Sequence, residues 1–373
     1  MPHLSVADPA SLDALPDTRA VFALLPREAG EPYLSRSAHL RTRLRRLLCP
    51  EAAAGKALHL GAVIGRVRYM PVSSDLEADL QLLEFARVYF PDDYRARLHL
   101  RPPVMLKLHL GNAYPRLFPT RGIAPPPGLS FGPFSSRAAA ERWATRALDL
   151  FLLRRCSDDL HPDPKFPGCM YSEMKMCLAP CFQGCSDARY VEEVERVQNF
   201  LATRGEASRR ELIGERDRAS NELAFEAAAA AHEKMDRLAS VLKHLPGIAR
   251  ASREWNGAVV LPGFGSAEAA FYALREGGLH GPLRLSLAPP VAAIEHKPLE
   301  VELCRQWETA FPASQRRLSR RRRGEHLALL ARWHRRARRA GEILFWSPEE
   351  APPWRNLVRA CGRVSKQALG DEQ

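Results

Sequence analysis

The sequence predicts an α+β protein. Three observations predict it: short alternating apolar runs that end at Gly, Pro or Asn, long amphipathic helical runs between them, and no regular strand–helix–strand alternation that would build one parallel sheet. The chain has 373 residues, 46% of them hydrophobic and 26% charged, enough apolar material for two or three cores.

Taken in order, residues 1–19 read as a flexible tail and 20–100 as a small mixed sheet with helices. AVFALLP (20–26) and EPYLS (31–35) suit a strand pair, SAHLRTRLRRLL (37–48) a helix with Ser37 as N-cap, HLGAVIGRVRYMPV (59–72) a strand and DLEADLQLLEFARVYF (75–90) a helix stopped by Pro91. In 101–200, VMLKLHL and PRLFPTR read as strands and RGIAPPPGLSFGPF as a turn-rich connector. SSRAAAERWATRALDLFLL then starts a helix from Ser135 or Ser136 and leads into a cysteine-rich helical module closed by DARYVEEVERVQNFLATR. Residues 205–246 form a helical hairpin expected to bury the side carrying Leu223, Phe225 and Leu238. The region 250–373 opens with a strand meander at 255–287, turning at Gly277-Gly278, and continues as a basic helical region.

The net charge is +12, which points to a polyanionic partner, nucleic acid first. The N-terminal stretch has neither a basic n-region nor an apolar h-region, and no run of 18 apolar residues occurs, so a cytoplasmic, non-membrane protein is expected. In that compartment disulfides are rare. Eleven arginines fall between 316 and 339 with a single Glu, a density that needs counter-charge. DNA phosphates would supply it through Arg320, Arg321, Arg322, Arg323, Arg335 and Arg336, with Arg36 and Arg41 as further contacts.

Five of the eight cysteines crowd into RRCSDDLHPDPKFPGCMYSEMKMCLAPCFQGC, at 156, 169, 177, 181 and 185. Zinc sites mostly use two tight pairs, which this run lacks. Iron–sulfur clusters tolerate irregular spacing and a neighbouring Pro, such as Pro180. Spacing alone leaves cluster, zinc and unliganded thiols open.

Resemblance narrows the choice. SFGPFSSRAAAERW, FLLRRCSDD, GCMYSEMKMCLAPCFQG and YVEEVERVQNFL, in this order, are similar to the middle of UvrC, a component of the bacterial ABC excinuclease. The resemblance implies a 4Fe–4S cluster on Cys156, Cys169, Cys177 and Cys181, with zinc as the alternative and Cys185 outside the pattern.

UvrC begins with a GIY-YIG nuclease domain, and AVFALLPREAGEPYLSRSAHLRTRLRRLL resembles its opening, with Phe22 and Ser35 as departures. The likeness implies Tyr33 and Arg43 as catalytic groups and a metal-binding Glu, for Mg²⁺ or Mn²⁺, on the 75–90 helix. Two alignments place that position on Leu82 or on Glu84, and they exclude each other because helical residues two apart face different ways. A degenerate nuclease with weak or lost activity is expected, and an active endonuclease incising damaged DNA on one side of a lesion is the alternative.

ASNELAFEAAAAAHEKMDRLASVL (219–242) resembles the UVR motif by which UvrC meets UvrB, implying partner contacts by Leu223, Phe225, Glu226 and Met235. EHLALLARWHRRARRAGEILFW (325–346) looks like the ending of short UvrC-like proteins, the group of the Cho-type nucleases, in place of the RNase H-like and helix-hairpin-helix domains. Together these imply a damage-induced (SOS) nucleotide excision repair protein that binds damaged duplex DNA and UvrB.

Overall fold

The computed structural model describes residues 3–5, 10–49, 60–157, 160–287, 296–337 and 339–371. The architecture is α+β, built on three four-stranded sheets whose pairings are all antiparallel.

The first sheet joins β1 (His3–Ser5), β2 (Ala20–Pro26), β3 (Tyr33–Ser37) and β4 (Ile64–Pro71) in the order β1-β4-β2-β3. The segment read as a tail thus supplies an edge strand, and Leu12 of the short α1 (Ala10–Asp13) and Leu15 just after it are buried in the core. The mixed sheet expected from sequence is antiparallel throughout. Alternation along β2 sorts its side chains: Phe22 and Leu24 face α2 (Leu40–Leu48), while Val21 and Ala23 face α3 (Asp75–Tyr89). Helix α2 starts two residues later than expected, with His39 rather than Ser37 as N-cap, because Ser37 still pairs with Ala20 in the sheet. Ser74 caps α3 by accepting from Glu77 N, and Glu77 Oε2 in return accepts from Ser73 N and Oγ. The short α4 (Tyr94–Arg97) follows.

The second sheet runs β6-β5-β7-β8 through β5 (Val104–Leu108), β6 (Leu117–Arg121), β7 (Leu129–Phe134) and, later in the chain, β8 (Arg250–Ala251). The stretch LSFGPF, read from sequence as connector, is the fully buried β7. Its Gly and Pro mask the strand pattern, and pairing with β5 on one side and β8 on the other overrides them. Helices α5 (Arg137–Leu148, capped by Ser136), α6 (Met170–Glu173), α7 (Asp187–Ala202), α8 (Glu206–Asn221) and α9 (Phe225–Lys243) follow. Trp143 lies between Phe131 and Phe200 at 5.2 and 6.1 Å, joining sheet, α5 and α7 in one core.

The third sheet, β11-β10-β9-β12, uses β9 (Asn256–Gly263), β10 (Gly265–Arg275), β11 (Gly278–Ser286) and β12 (Glu342–Phe345). Its β10–β11 turn is Glu276-Gly277, both at positive φ (47 and 85), as a two-residue hairpin matched to strand twist requires. One face packs on α10 (His296–Ala310) and α12 (Trp354–Asp371), and the other on α3 and α11 (Arg320–His334). Strand β12 interrupts the region expected to be helical.

Helix α3 is therefore clamped between two sheets. Ala78 and Phe85 pack on β2, whereas Leu76, Leu80, Leu83 and Ala86 pack with β9, β10 and α11.

Candidate cysteine centre and nucleic-acid interface

The cysteine block is hung from the core by α7. Tyr190, fully buried, donates its hydroxyl to Pro115 O at 2.8 Å and accepts from Arg154 N at 3.1 Å. Glu193, also fully buried, accepts from Leu152 N at 2.7 Å and is held by Arg196 at 2.9 Å. These bonds fix the segment entering Cys156. Leu178 N donates to Leu152 O, and Asp163 N to Cys181 O, which folds the later cysteines back against it.

Tight turns do the rest. Lys175, Ala179 and Gln183 hold φ at 54, 56 and 58, a left-handed conformation costly for side-chain-bearing residues and concentrated at this block. Cys177 Sγ accepts from Ala179 N at 3.3 Å, and Cys156 Sγ from Arg154 Nη1 at 3.5 Å. Burial pushes the Cys177 thiol up to about 11, with Cys156, Cys181 and Cys169 pushing the same way against the Ala179 N–H. Cys181 is raised by burial and then by Cys169, with Cys156 adding to it. Cys177 thus feels Cys156, Cys181 and Cys169, and soft sulfur donors of this kind suit iron or zinc. Among the described residues, no group of three or more His, Cys, Asp and Glu side chains stands arranged to hold a metal ion.

The nuclease candidates are not brought together. Tyr33 pairs with Leu24 across the β2–β3 ladder, so it projects on the α2 side with Phe22, whose ring lies 6.4 Å away. Arg43 is exposed on α2. Leu82 and Glu84 ride on α3, across the sheet. Leu82 packs on the Val21, Ala23 and Phe85 cluster, while Glu84 turns to α11, where Arg322 Nη2 donates to both its oxygens at 2.7 and 2.6 Å.

The arginine helix finds much of its counter-charge inside the chain. Arg336 bonds Asp79 at 2.8 Å and approaches Asp75 at 3.3 Å, Arg36 bonds Asp79 at 2.6 Å, and Arg323 pairs with Glu276. Glu325, buried, takes Arg87 and the Tyr94 hydroxyl. Arg41 reaches Asp13 O at 3.3 Å, and Arg320 and Arg335 are exposed. The buried acids Asp79, Glu77 and Glu325 were not singled out from the sequence. Acids at positions that helical periodicity assigns to the apolar sides of α3 and α11 were the available signal.

Residues 104–200, from β5 through the cysteine block to α7, match the family model described as the UvrC/Cho excinuclease middle domain. This part of the chain is similar to the UvrC middle domain. The chain is 27% identical over 237 residues to the UvrABC system protein C of Bradyrhizobium diazoefficiens, covering 61% of this chain and 33% of that protein. It is 29% identical over 226 residues to that of Protochlamydia amoebophila, covering 59% and 37%. It is 34% identical over 127 residues to that of Rhodopseudomonas palustris strain BisB5, covering 34% and 18%. The chain spans about a third of the length of the first two relatives. No solved structure matches.

The helical hairpin departs from the expected packing. Leu238 is buried, but Leu223 and Phe225 are 70% and 72% exposed at the turn between α8 and α9, where Leu223 takes φ 58. Glu226 is exposed and Met235 half-buried. The left-handed residue ends α8 and turns the apolar pair outward. No helix among the described residues is long and apolar enough to cross a membrane.

Proposed function

We propose that the protein acts in nucleotide excision repair as a UvrC-like, DNA-binding accessory that docks to UvrB and does not itself cut DNA. The observation that carries the reading is the fate of the metal position: Leu82 is turned into the core and Glu84 is engaged by Arg322. Hydrolysis of a phosphodiester needs a base, positive charge over the phosphate and a carboxylate-anchored divalent ion acting on one side of a site. Tyr33 and the α3 carboxylate face opposite sides of the sheet, which favours the accessory over the endonuclease.

UvrB docking is supported by Leu223 and Phe225, both exposed at the turn between α8 and α9; exposed aromatic anchors are a frequent basis of interfaces. For the cysteine centre, the 4Fe–4S cluster implied by the resemblance is supported by the chemistry of the donors alone: four cysteine sulfurs of one block, none in a disulfide, two of which receive N–H donors. When bound, the cluster supplies a cross-link; Tyr190, Glu193 and Arg154 orient the segments that carry its ligands.

The test is incubation with UvrA, UvrB, a lesion-bearing duplex and Mg²⁺ or Mn²⁺. Retention on DNA and on UvrB without incision is expected, with UvrB retention lost in Phe225→Ala. Incision that disappears in Tyr33→Phe or Arg43→Ala would establish the endonuclease instead. Anaerobically purified protein should carry about four irons per chain, and stoichiometric zinc without iron would replace the cluster.

A further inference from the structure

Where α4, the end of β6 and the start of α11 meet, the surface opens into a cleft of about 580 Å³. Arginines enter it from four places in the sequence: Arg95 from α4, Arg101 from the loop before β5, Arg121 from the end of β6, and Arg320 and Arg321 from the first turn of α11. The cleft's one carboxylate, Glu325, is bonded to Arg87 and the Tyr94 hydroxyl, with Arg95 and Arg321 at 3.7 and 3.5 Å. Arg101, Arg121 and Arg320 are exposed and have no acidic partner among the described residues. Chain segments far apart in sequence have thus converged like charges on a concave surface, at a net electrostatic cost that a bound anion removes.

Other features select the anion. The cleft shares Arg95, Leu100, Arg101 and Arg321 with an adjoining hollow of about 670 Å³, so the two form one continuous groove, ending at Asp92 and Asp93. Leu100 and Ile123 give the cleft an apolar wall, suited to sugar rather than to a bare ion. The 15-residue α11 opens at the cleft; Ser319 takes the N–H groups of Arg322 and Arg323, so those of Arg320 and Arg321 are the first-turn donors without an intrahelical acceptor.

We propose that this groove holds the phosphodiester backbone of one nucleic-acid strand, with Arg101, Arg121 and Arg320 on successive phosphates. This rests on the DNA-binding reading above and names a contact surface for it, adding Arg101 and Arg121 from outside the arginine helix. The contacts position a strand without reading its sequence.

The test compares the unaltered protein with the triple variant Arg101→Ala, Arg121→Ala, Arg320→Ala, using fluorescent oligonucleotides of several sequences across a salt series. The variant should bind all sequences at least tenfold more weakly, and its salt slope should fall by about 3, one for each phosphate left without its arginine. Arg121→Glu alone, at an exposed strand end, carries the same test should the triple variant fold poorly. Unchanged affinity and slope in these variants, with weakening in Arg41→Ala, Arg335→Ala, would overturn the groove and leave DNA binding standing. Absence of oligonucleotide binding by the unaltered protein would overturn both. Competition by a mononucleotide as effective, phosphate for phosphate, as that by an oligonucleotide would assign the groove to a small anion and overturn the strand.

Discussion

Arg322 and Glu84 meet across 238 residues of sequence, one guanidinium nitrogen donating to both carboxylate oxygens. The contact joins the helix that would carry a nuclease metal to the helix at the centre of the arginine cluster. Beside it, Asp79 binds Arg36 and Arg336, and buried Glu77 binds Arg284 of β11. A row of acids on α3 is thereby engaged by basic side chains of the C-terminal region, and the first sheet serves as a platform for the third.

The ion pairs along this seam differ in weight. Glu84 and Arg322 are each more than a third exposed, so Glu84→Ala should cost no more than about 1 kcal/mol. Glu325→Ala leaves the mostly buried Arg87 with only the distant Glu84 at 3.8 Å and should cost more, about 3 kcal/mol. Urea unfolding of the two variants checks the ordering; equal losses would contradict it.

Acid should destabilise the fold through His326. Its Nδ1 accepts from Leu279 N at 3.0 Å, and burial, then Arg322 and Arg87, then His280, push the imidazole down to about 4 against the opposing pull of Glu325. Between that value and the ordinary value near 6.5, the unfolded chain binds a proton that the native chain does not. Stability from this group is full above about 6.5 and falls as the pH drops towards 4, by roughly 3 kcal/mol in total. His280 and His334, also lowered by burial, add in the same direction. Replacing His326 by Gln, whose amide oxygen can accept the Leu279 N–H, should flatten the acid limb of a stability–pH curve.

In metal-free protein the Cys177 thiol should alkylate slowly. With its pKa at about 11, the thiolate fraction at pH 8 is on the order of one in a thousand, against about a quarter for an ordinary thiol. Mass spectrometry after a timed iodoacetamide pulse, with urea-unfolded chain as reference, measures the protection.

The hairpin turn separates folding from docking. Phe225→Ala should change stability by less than about 0.5 kcal/mol, since the ring is exposed, whereas Leu238→Ala should cost about 2–5 kcal/mol. Leu223→Gly should stabilise by about 1 kcal/mol, because glycine accepts φ 58 without strain. Thermal or urea unfolding of the three variants checks all of these.

Local elements were legible wherever local chemistry sets them. Ser136 caps α5 and Ser186 caps α7 through side-chain acceptance of a third-residue N–H, and Leu40, Leu44, Leu47 and Leu48, at helical spacing, form the buried stripe of α2. Strand β7 hid behind Gly132 and Pro133, and β12 behind the arginines before it, because each is a strand only by virtue of a distant partner. The outward turn of Leu223 and Phe225 was hidden for a related reason: whether an apolar pair at a helix junction faces in or out depends on one backbone angle.

The sequence by itself determined the α+β class, the positive charge, the cysteine block and the likeness to UvrC, because composition, capping and spacing are properties of short stretches. Tertiary structure decided what Glu84 and the arginines do. The orientation of α3 between two sheets turns Leu82 to one core and Glu84 to Arg322, and a one-residue change of helical phase would have altered both. Which arginines are spent on Glu84, Asp79 and Glu276, and which line the groove beside Arg101 and Arg121, follows from contacts between segments more than 40 residues apart. Charges act through space, and only the folded chain sets those separations.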